Sequence, residues 1–350
     1  MTWLTLEDAP CAHRETPTHA CFKQSNADFV VDEVLPFTCD GDGEHRYLRV
    51  KKSGCNTLWL RDQMAKFANL PARDVGYAGL KDRHATTYQW FSVPIRQGQP
   101  AWSDLPLDGV EIVETHRHRR KLHIGALCGN RFEVILRDIR GPAAVFETLL
   151  ETIRVAGVPN YFMDQRFGHQ MGNLDTALRL FAGEIKIKQK KKRGIYFSAA
   201  RAYLFNQVLA ERVRQRVWNQ ALPGDVFFLA GTRKVIWDHD DLSTFQTRCA
   251  AFDVHPSGPL WGGGPLITSA EVQALEVAAL QTYPVFQAGL ENVGMKQERR
   301  SLRLMVQDLT HTWLDQTTLK LSFMLGRGGY ATAVLRELAV IDEGELKGPR

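Results

Sequence analysis

The chain has 350 residues, 44% of them hydrophobic and 24% charged, which is a globular composition long enough for one large domain or two and argues against extensive disorder. The opening MTWLTLEDAP shows no basic stretch followed by an apolar run, and no apolar stretch has the length of a membrane span, so the expectation is a cytoplasmic protein without a membrane role. Six cysteines at 11, 21, 39, 55, 128 and 249 include no C-x-x-C pair and are expected to be free thiols.

The first 140 residues read as strand-rich with one strong helix. DFVVDEVLPF (28–37) and HRYLRVKK (45–52) carry β-branched and aromatic residues around the turn-like CDGDGE. NTLWLRDQMAKFANL (56–70) is apolar at 58, 60, 64, 67 and 70, a helical spacing with Asn56 or Thr57 as N-cap. TYQWFSVPI (87–95) and NRFEVILRDI (130–139) are strands, and GPAAVFETLLETIRVAG (141–157) is a helix between glycines. The middle third is helical: NLDTALRLFAG (173–183) and SAARAYLFNQVLAERVRQRV (198–217) are amphipathic, with Asn173 and Ser198 as N-caps and a basic run between them. PSGPLWGGGPL (256–266) reads as a Gly/Pro loop, and TSAEVQALEVAALQTY (268–283) as a helix. From about 301 strands return: SLRLMVQDL and TLKLSFML flank a polar HTWLDQT turn, and YATAVLREL closes as a short helix. This β-rich, α-rich, β-rich order reads as an α+β protein whose helical segment is inserted into a sheet.

The net charge of +5 is modest, but HRHRRKLH (116–123) and KIKQKKKR (186–193) hold ten of the 44 Lys and Arg. Such runs suit a polyanion, because each neutralised phosphate releases condensed counterions; the plainer reading is a solvated face. A metal site at His116, His118 and His123 is opposed by the interleaved arginines. GRGGYA (326–331) has the spacing of a dinucleotide fingerprint, yet only 19 residues follow Ala331, too few for the remaining strand and acid. GLENVGMK (289–296) has Met295 where a P-loop needs lysine. Neither a nucleotide cofactor nor a metal is expected.

One segment remains, GLKDRHA (79–85). Asp82 stands among cations that favour its ionised form, as in a structural ion pair or in a catalytic nucleophile or base. If 81–83 is extended, Lys81 and Arg83 point away from Asp82 and its charge partner comes from elsewhere. Phe29, Phe132 and Tyr330 lie near polar or glycine-rich features, where they serve either as core or as stacking faces for extruded bases.

GYAGLKDRHATTYQWFSV resembles the signature of the TruD family of tRNA pseudouridine synthases, whose nucleophile is the aspartate of a G-x-K-D segment. FKQSNADFVVDEVL, GDGEHRYLRVKKSGCNT, LCGNRFEVILRDI, GVPNYFMDQRFG, SAARAYLFNQVL and GRGGYATAVLREL extend the resemblance over essentially the whole chain. It implies a mixed, mainly antiparallel catalytic sheet formed by residues 1–155 and 304–350, with an inserted α-rich domain at 156–303. It also implies isomerisation of uridine to pseudouridine in tRNA, most often uridine 13, without a cofactor or metal and with no obligatory protein partner. By the same resemblance Asp82 is the catalytic carboxylate and Lys23 its charge partner. Phe29, Asn130 and Tyr330 fall on substrate-binding positions, and Phe132 packs beside Asn130. The family commonly has phenylalanine where this chain has Tyr330, which keeps the stacking face and adds a hydroxyl. Lys190, Lys191, Lys192, Arg119 and Arg120 would hold tRNA phosphates. The alternative is a noncatalytic RNA-binding or RNA-folding protein on the same scaffold, for which Asp82 is dispensable.

Overall fold

The computed structural model describes residues 3–15, 17–232, 234–237 and 241–344. The chain divides into two compact units.

The first unit comprises Thr16–Glu147, Val306–Gly329 and Ala339–Arg350 and is built on a ten-stranded sheet. Its first seven strands are β1 (His19–Phe22), β2 (Phe29–Val34), β3 (His45–Ser53), β4 (Gly76–Tyr77), β5 (Thr86–Pro94), β6 (Val110–His118) and β7 (Gly129–Arg140). The strands Gln307–Asp315, Thr318–Gly326 and Val340–Glu343 complete it. The long β7 is central. It pairs antiparallel with Thr318–Gly326 on one edge (Phe323 opposite Phe132) and with β2 on the other (Glu33 opposite Asn130). β3 pairs antiparallel with both β5 and β6. Two pairings are parallel, β2 with β5 and β1 with Val340–Glu343, so the sheet is mixed and mainly antiparallel, as expected.

The helix α1 (Thr57–Phe67) covers one face. Its Leu60 and Met64 lie against Leu48 and Val50 of β3 and Phe91 and Val93 of β5, all fully buried. The i, i+4 spacing in the helix and i, i+2 spacing in the strands bring these residues to one apolar layer. Asn56 is the N-cap residue, although its side chain makes no capping bond. The helix α2 (Ala143–Ala156) carries the chain into the second unit.

That unit comprises Met1–Glu15, Thr148–Met305 and Tyr330–Leu338. It is mainly helical, with α3 (Gly172–Phe181) packed on the 25-residue α4 (Lys190–Arg214) and further helices at Leu242–Ala250, Ala270–Leu280, Pro284–Asn292 and Ala331–Leu338. Four sequence expectations change. The lysine run is not a connector but the first turn of α4, with Gln189 as the N-cap residue, so Ser198 sits inside the helix. α3 starts at Gly172, before Asn173. Most of HTWLDQT is strand, and the hairpin turns only at 316–317. The stretch read as a Gly/Pro loop begins as a buried strand, Val254–Leu260, paired on both edges. A Cβ on its Gly258 would lie 2.9 Å from Leu302 and 3.1 Å from Phe205, so this glycine serves close packing rather than a turn.

All six cysteines are free thiols. Among the described residues no helix is long and apolar enough to cross a membrane, and no three His, Cys, Asp or Glu side chains are grouped to hold a metal ion.

Candidate active site

Asp82 lies in the loop between β4 and β5. Its Oδ2 accepts a hydrogen bond from Lys23 Nζ at 2.8 Å and its Oδ1 one from the His84 amide at 3.0 Å. Burial of the carboxyl opposes ionisation, but the bond and charge of Lys23 and the His84 amide outweigh it and hold its pKa below the ordinary carboxylate value. The side chain stays 24% exposed, so a carboxylate kept ionised can still be reached. Lys23 is 5% exposed and has φ of +60°, a left-handed conformation that a residue with a Cβ adopts only under constraint. Its Nζ lies 5.0 Å from the centre of the Phe29 ring and 5.2 Å from that of Phe22, so two aromatic rings help hold the buried cation.

The loop itself is tied down by polar groups, of which Glu33, Gln89 and Lys52 were passed over in the sequence. Lys81 turns away to Glu33 at 2.6 Å, an ion pair with almost no exposure on either side chain, and Arg83 donates to the Gly54 carbonyl. Gln89 donates to the Gly79 carbonyl at 2.6 Å, and Thr57 Oγ1 accepts from the Lys81 amide at 3.0 Å. Lys52, fully buried, donates to the carbonyls of Asp82 at 3.1 Å and Cys55 at 2.8 Å. Burial pushes its pKa below that of an ordinary lysine, although the charges of Cys55 and Asp82 oppose this. A signal for Lys52 exists in the sequence: strand alternation puts it on the same face as Leu48 and Val50, where an unexplained lysine requires acceptors.

Asn130 and Phe132 share a face of β7, two residues apart. Phe132 is 5% exposed and lies between Phe29, stacked with centroids 6.0 Å apart, and Phe323 at 5.5 Å; it backs the Phe29 ring. Asn130 Oδ1 is buried and has no hydrogen-bond donor. An acceptor in that condition costs on the order of 1–3 kcal/mol until something donates to it.

Tyr330 belongs to the helical unit. Its hydroxyl accepts from Arg166 Nη2 at 3.2 Å, and its ring meets that of Phe162 edge to face. Lys190, Lys191 and Lys192 are exposed in the first turn of α4, which contains no acidic residue. Cations there oppose the helix dipole, so the run costs helix stability and fits an anionic partner better than a solvated face. Arg119 and Arg120 are exposed beyond β6, Arg119 paired with Asp42 at 3.1 Å. His116 and His118 are taken by Glu114 and Asp40.

Comparison with known proteins adds the family context. The family model described as tRNA pseudouridine synthase D (TruD) matches residues 10–186 and 179–338. The tRNA pseudouridine synthase D of Hydrogenovibrio crunogenus is 43% identical over 336 residues, covering 96% of this chain and 97% of that protein. The protein of the same name from Methylococcus capsulatus is 44% identical over 338 residues, covering 96% of each. A crystal structure of a Methanosarcina mazei protein described as a putative tRNA pseudouridine synthase D covers 94% of this chain and 95% of its own. It does so with a TM-score of 0.72 at 19% identity, a likeness of fold.

Proposed function

We infer that this chain, which belongs to the TruD family of tRNA pseudouridine synthases and is therefore an RNA-modifying isomerase, converts uridine 13 of tRNA to pseudouridine through Asp82. The observation that carries this reading is a part-exposed carboxylate held ionised by a buried lysine. The reaction must break the C1′–N1 bond, turn the uracil and join C5 to C1′. No atom is gained or lost, because the proton leaving C5 is matched by one arriving at N1. A base inside the RNA stack cannot turn, so the uridine is first extruded, at an unstacking cost of a few kcal/mol. Asp82 then starts the chemistry either as a nucleophile on C1′ or as the base that takes the C2′ proton on the way to a glycal. Both routes need the ionised form that Lys23 favours.

Asn130 fits the recognition of the extruded base. Uracil offers N3–H as a donor beside carbonyl acceptors, and the Asn130 Oδ1 lacks a donor. Phe29 supplies a ring face for stacking, with Phe132 behind it, and Tyr330 is a substrate-binding residue of the helical unit. Replacing Asn130 with Ala is expected to lower turnover about tenfold to a hundredfold, since one bidentate base contact is worth about 1–3 kcal/mol. Its tRNA affinity should stay within about threefold, because phosphate contacts dominate binding. An equal fall in binding and turnover would make Asn130 structural.

In this reading residues 1–155 and 304–350 form the catalytic domain, residues 156–303 form the inserted domain, and the enzyme works in the cytoplasm, where its substrate is. Lys190, Lys191 and Lys192, with Arg119 and Arg120, carry tRNA phosphates. Neutralising the three lysines to Gln should weaken binding and flatten the slope of log K against log salt by roughly one for each phosphate no longer neutralised. An unchanged slope would return the run to solvent. The function is tested by mapping pseudouridine on unmodified tRNA incubated with purified protein and no added metal or cofactor. Product at position 13 supports it, product elsewhere refutes the site assignment, and binding without product favours the noncatalytic RNA binder.

A further inference from the structure

In the helical unit an open cleft of about 450 Å³ is lined by Gln165, Arg166, Asn173, Lys191, Ser198 and Tyr330, and none of its lining residues is acidic. Arg166 occupies it in an unusual state. Its guanidinium donates to two neutral oxygens, Ser198 Oγ at 3.0 Å and Tyr330 Oη at 3.2 Å, and its Nε is buried without an acceptor. Among the described residues no carboxylate pairs with it. The Arg166 guanidinium also faces the Phe162 ring, at 5.4 Å from its centre. A guanidinium held on two neutral oxygens, with one nitrogen lacking an acceptor, beside a cleft lined by no acidic residue, suits an anion. The donors suit a phosphodiester: an arginine fork, a lysine, a hydroxyl and an amide, with an aromatic face alongside. The volume is in the range of sites for nucleotide-sized ligands.

We propose that this cleft is a nucleotide subsite on the tRNA path, with a phosphodiester seated on Arg166 and Lys191 and its ribose or base against the Tyr330 ring. The assignment rests on the reading of this chain as a tRNA-modifying enzyme, but not on the role of Asp82. It makes Arg166 and Ser198 parts of substrate binding that the lysine run alone does not include.

The test is tRNA affinity across a salt series for Ser198→Asp, Lys191→Glu and Lys190→Glu. Ser198→Asp sets a carboxylate against Arg166 inside the cleft, which satisfies the guanidinium and excludes a phosphate. Lys191→Glu puts an acid in the first turn of an α-helix, where it favours folding, and Lys190→Glu makes the same charge change outside the cleft lining. Ser198→Asp and Lys191→Glu are expected to raise Kd at least about tenfold and to reduce the salt slope by roughly one, with unchanged melting, and Lys190→Glu to do distinctly less. Equal effects of the two lysine changes, with wild-type affinity for Ser198→Asp, would overturn the proposal. So would inorganic phosphate raising the melting temperature of the wild type while Ser198→Asp binds tRNA normally, since the cleft would then take a free anion. If Ser198→Asp fails to fold, the comparison of the two lysine variants decides. Loss of activity in an Asp82 variant leaves these outcomes unaffected, so the subsite and the catalytic assignment fail separately.

Discussion

Asp82→Asn is expected to abolish pseudouridine formation, with a fall in turnover of at least about a thousandfold, while tRNA binding persists. The amide keeps an oxygen that can accept from the His84 amide and nearly the volume of the carboxylate, so the loop between β4 and β5 has no reason to move. What disappears is the negative charge, and with it a nucleophile or a base. Asparagine is neither at neutral pH. Binding should hold or tighten slightly, because one negative charge facing a polyanion has been removed and Lys23 is left less neutralised. Quantifying pseudouridine at single turnover, beside a binding isotherm for the same preparation, separates the two effects. Undiminished product from the variant would reduce Asp82 to a structural ion pair and end this mechanism.

Lys23→Met is expected to act through Asp82 and to show itself in the pH profile. In the wild type the Asp82 pKa lies below the ordinary value of about 4, so this group imposes no loss of activity until the pH falls beneath that value. Without Lys23 the burial of the carboxyl is opposed chiefly by the His84 amide. Its pKa then rises, and the acid limb of kcat should move to higher pH, with a lower plateau. Stability follows the same sign. A native pKa below the unfolded one adds stability that is complete above the unfolded pKa and is lost as pH falls through the native value. The variant forfeits that contribution, so its deficit relative to wild type should be greatest near neutral pH and shrink on acidification. At pH 7 a deficit of about 2 kcal/mol is expected for removing one partner of a largely buried pair. An acid limb that stays in place, whatever the plateau, would show that Lys23 does not set the ionisation of Asp82.

The strands around the site were legible because β-branched and aromatic residues alternate there, and α1 because its apolar residues repeat at helical spacing. The Lys23–Asp82 approach was not legible from spacing: 59 positions separate the two, and the pairing depends on a left-handed turn at Lys23 that favours no lysine in isolation. Resemblance supplied the pairing, and the geometry supplies its 2.8 Å. Lys52 went unread because a lysine in a strand is ordinarily exposed, and its two carbonyl acceptors lie in loops that residue patterns do not place. The strand Val254–Leu260 was missed for the opposite reason. Its prolines and glycine normally end a strand, whereas here Pro256 accepts from the Leu302 amide and Gly258 makes room for Leu302 and Phe205. Ser198 looked like a helix start because serine usually serves the backbone there; its hydroxyl instead receives Arg166.

The pairing of β1 with Val340–Glu343, and of β7 with Thr318–Gly326, has a consequence for how the protein is made. Lys23 follows directly on a strand whose parallel partner lies more than three hundred residues later, and Asn130 sits on one whose second neighbour is nearly two hundred residues later. Pairings so distant in sequence carry a large loop-closure entropy and form late. On the ribosome the segments bearing Lys23, Phe29, Asp82 and Asn130 emerge early, but their sheet cannot close until the last strands follow. The nascent chain therefore carries open strand edges through most of its synthesis, and these are where a chaperone would bind and where misfolding would begin.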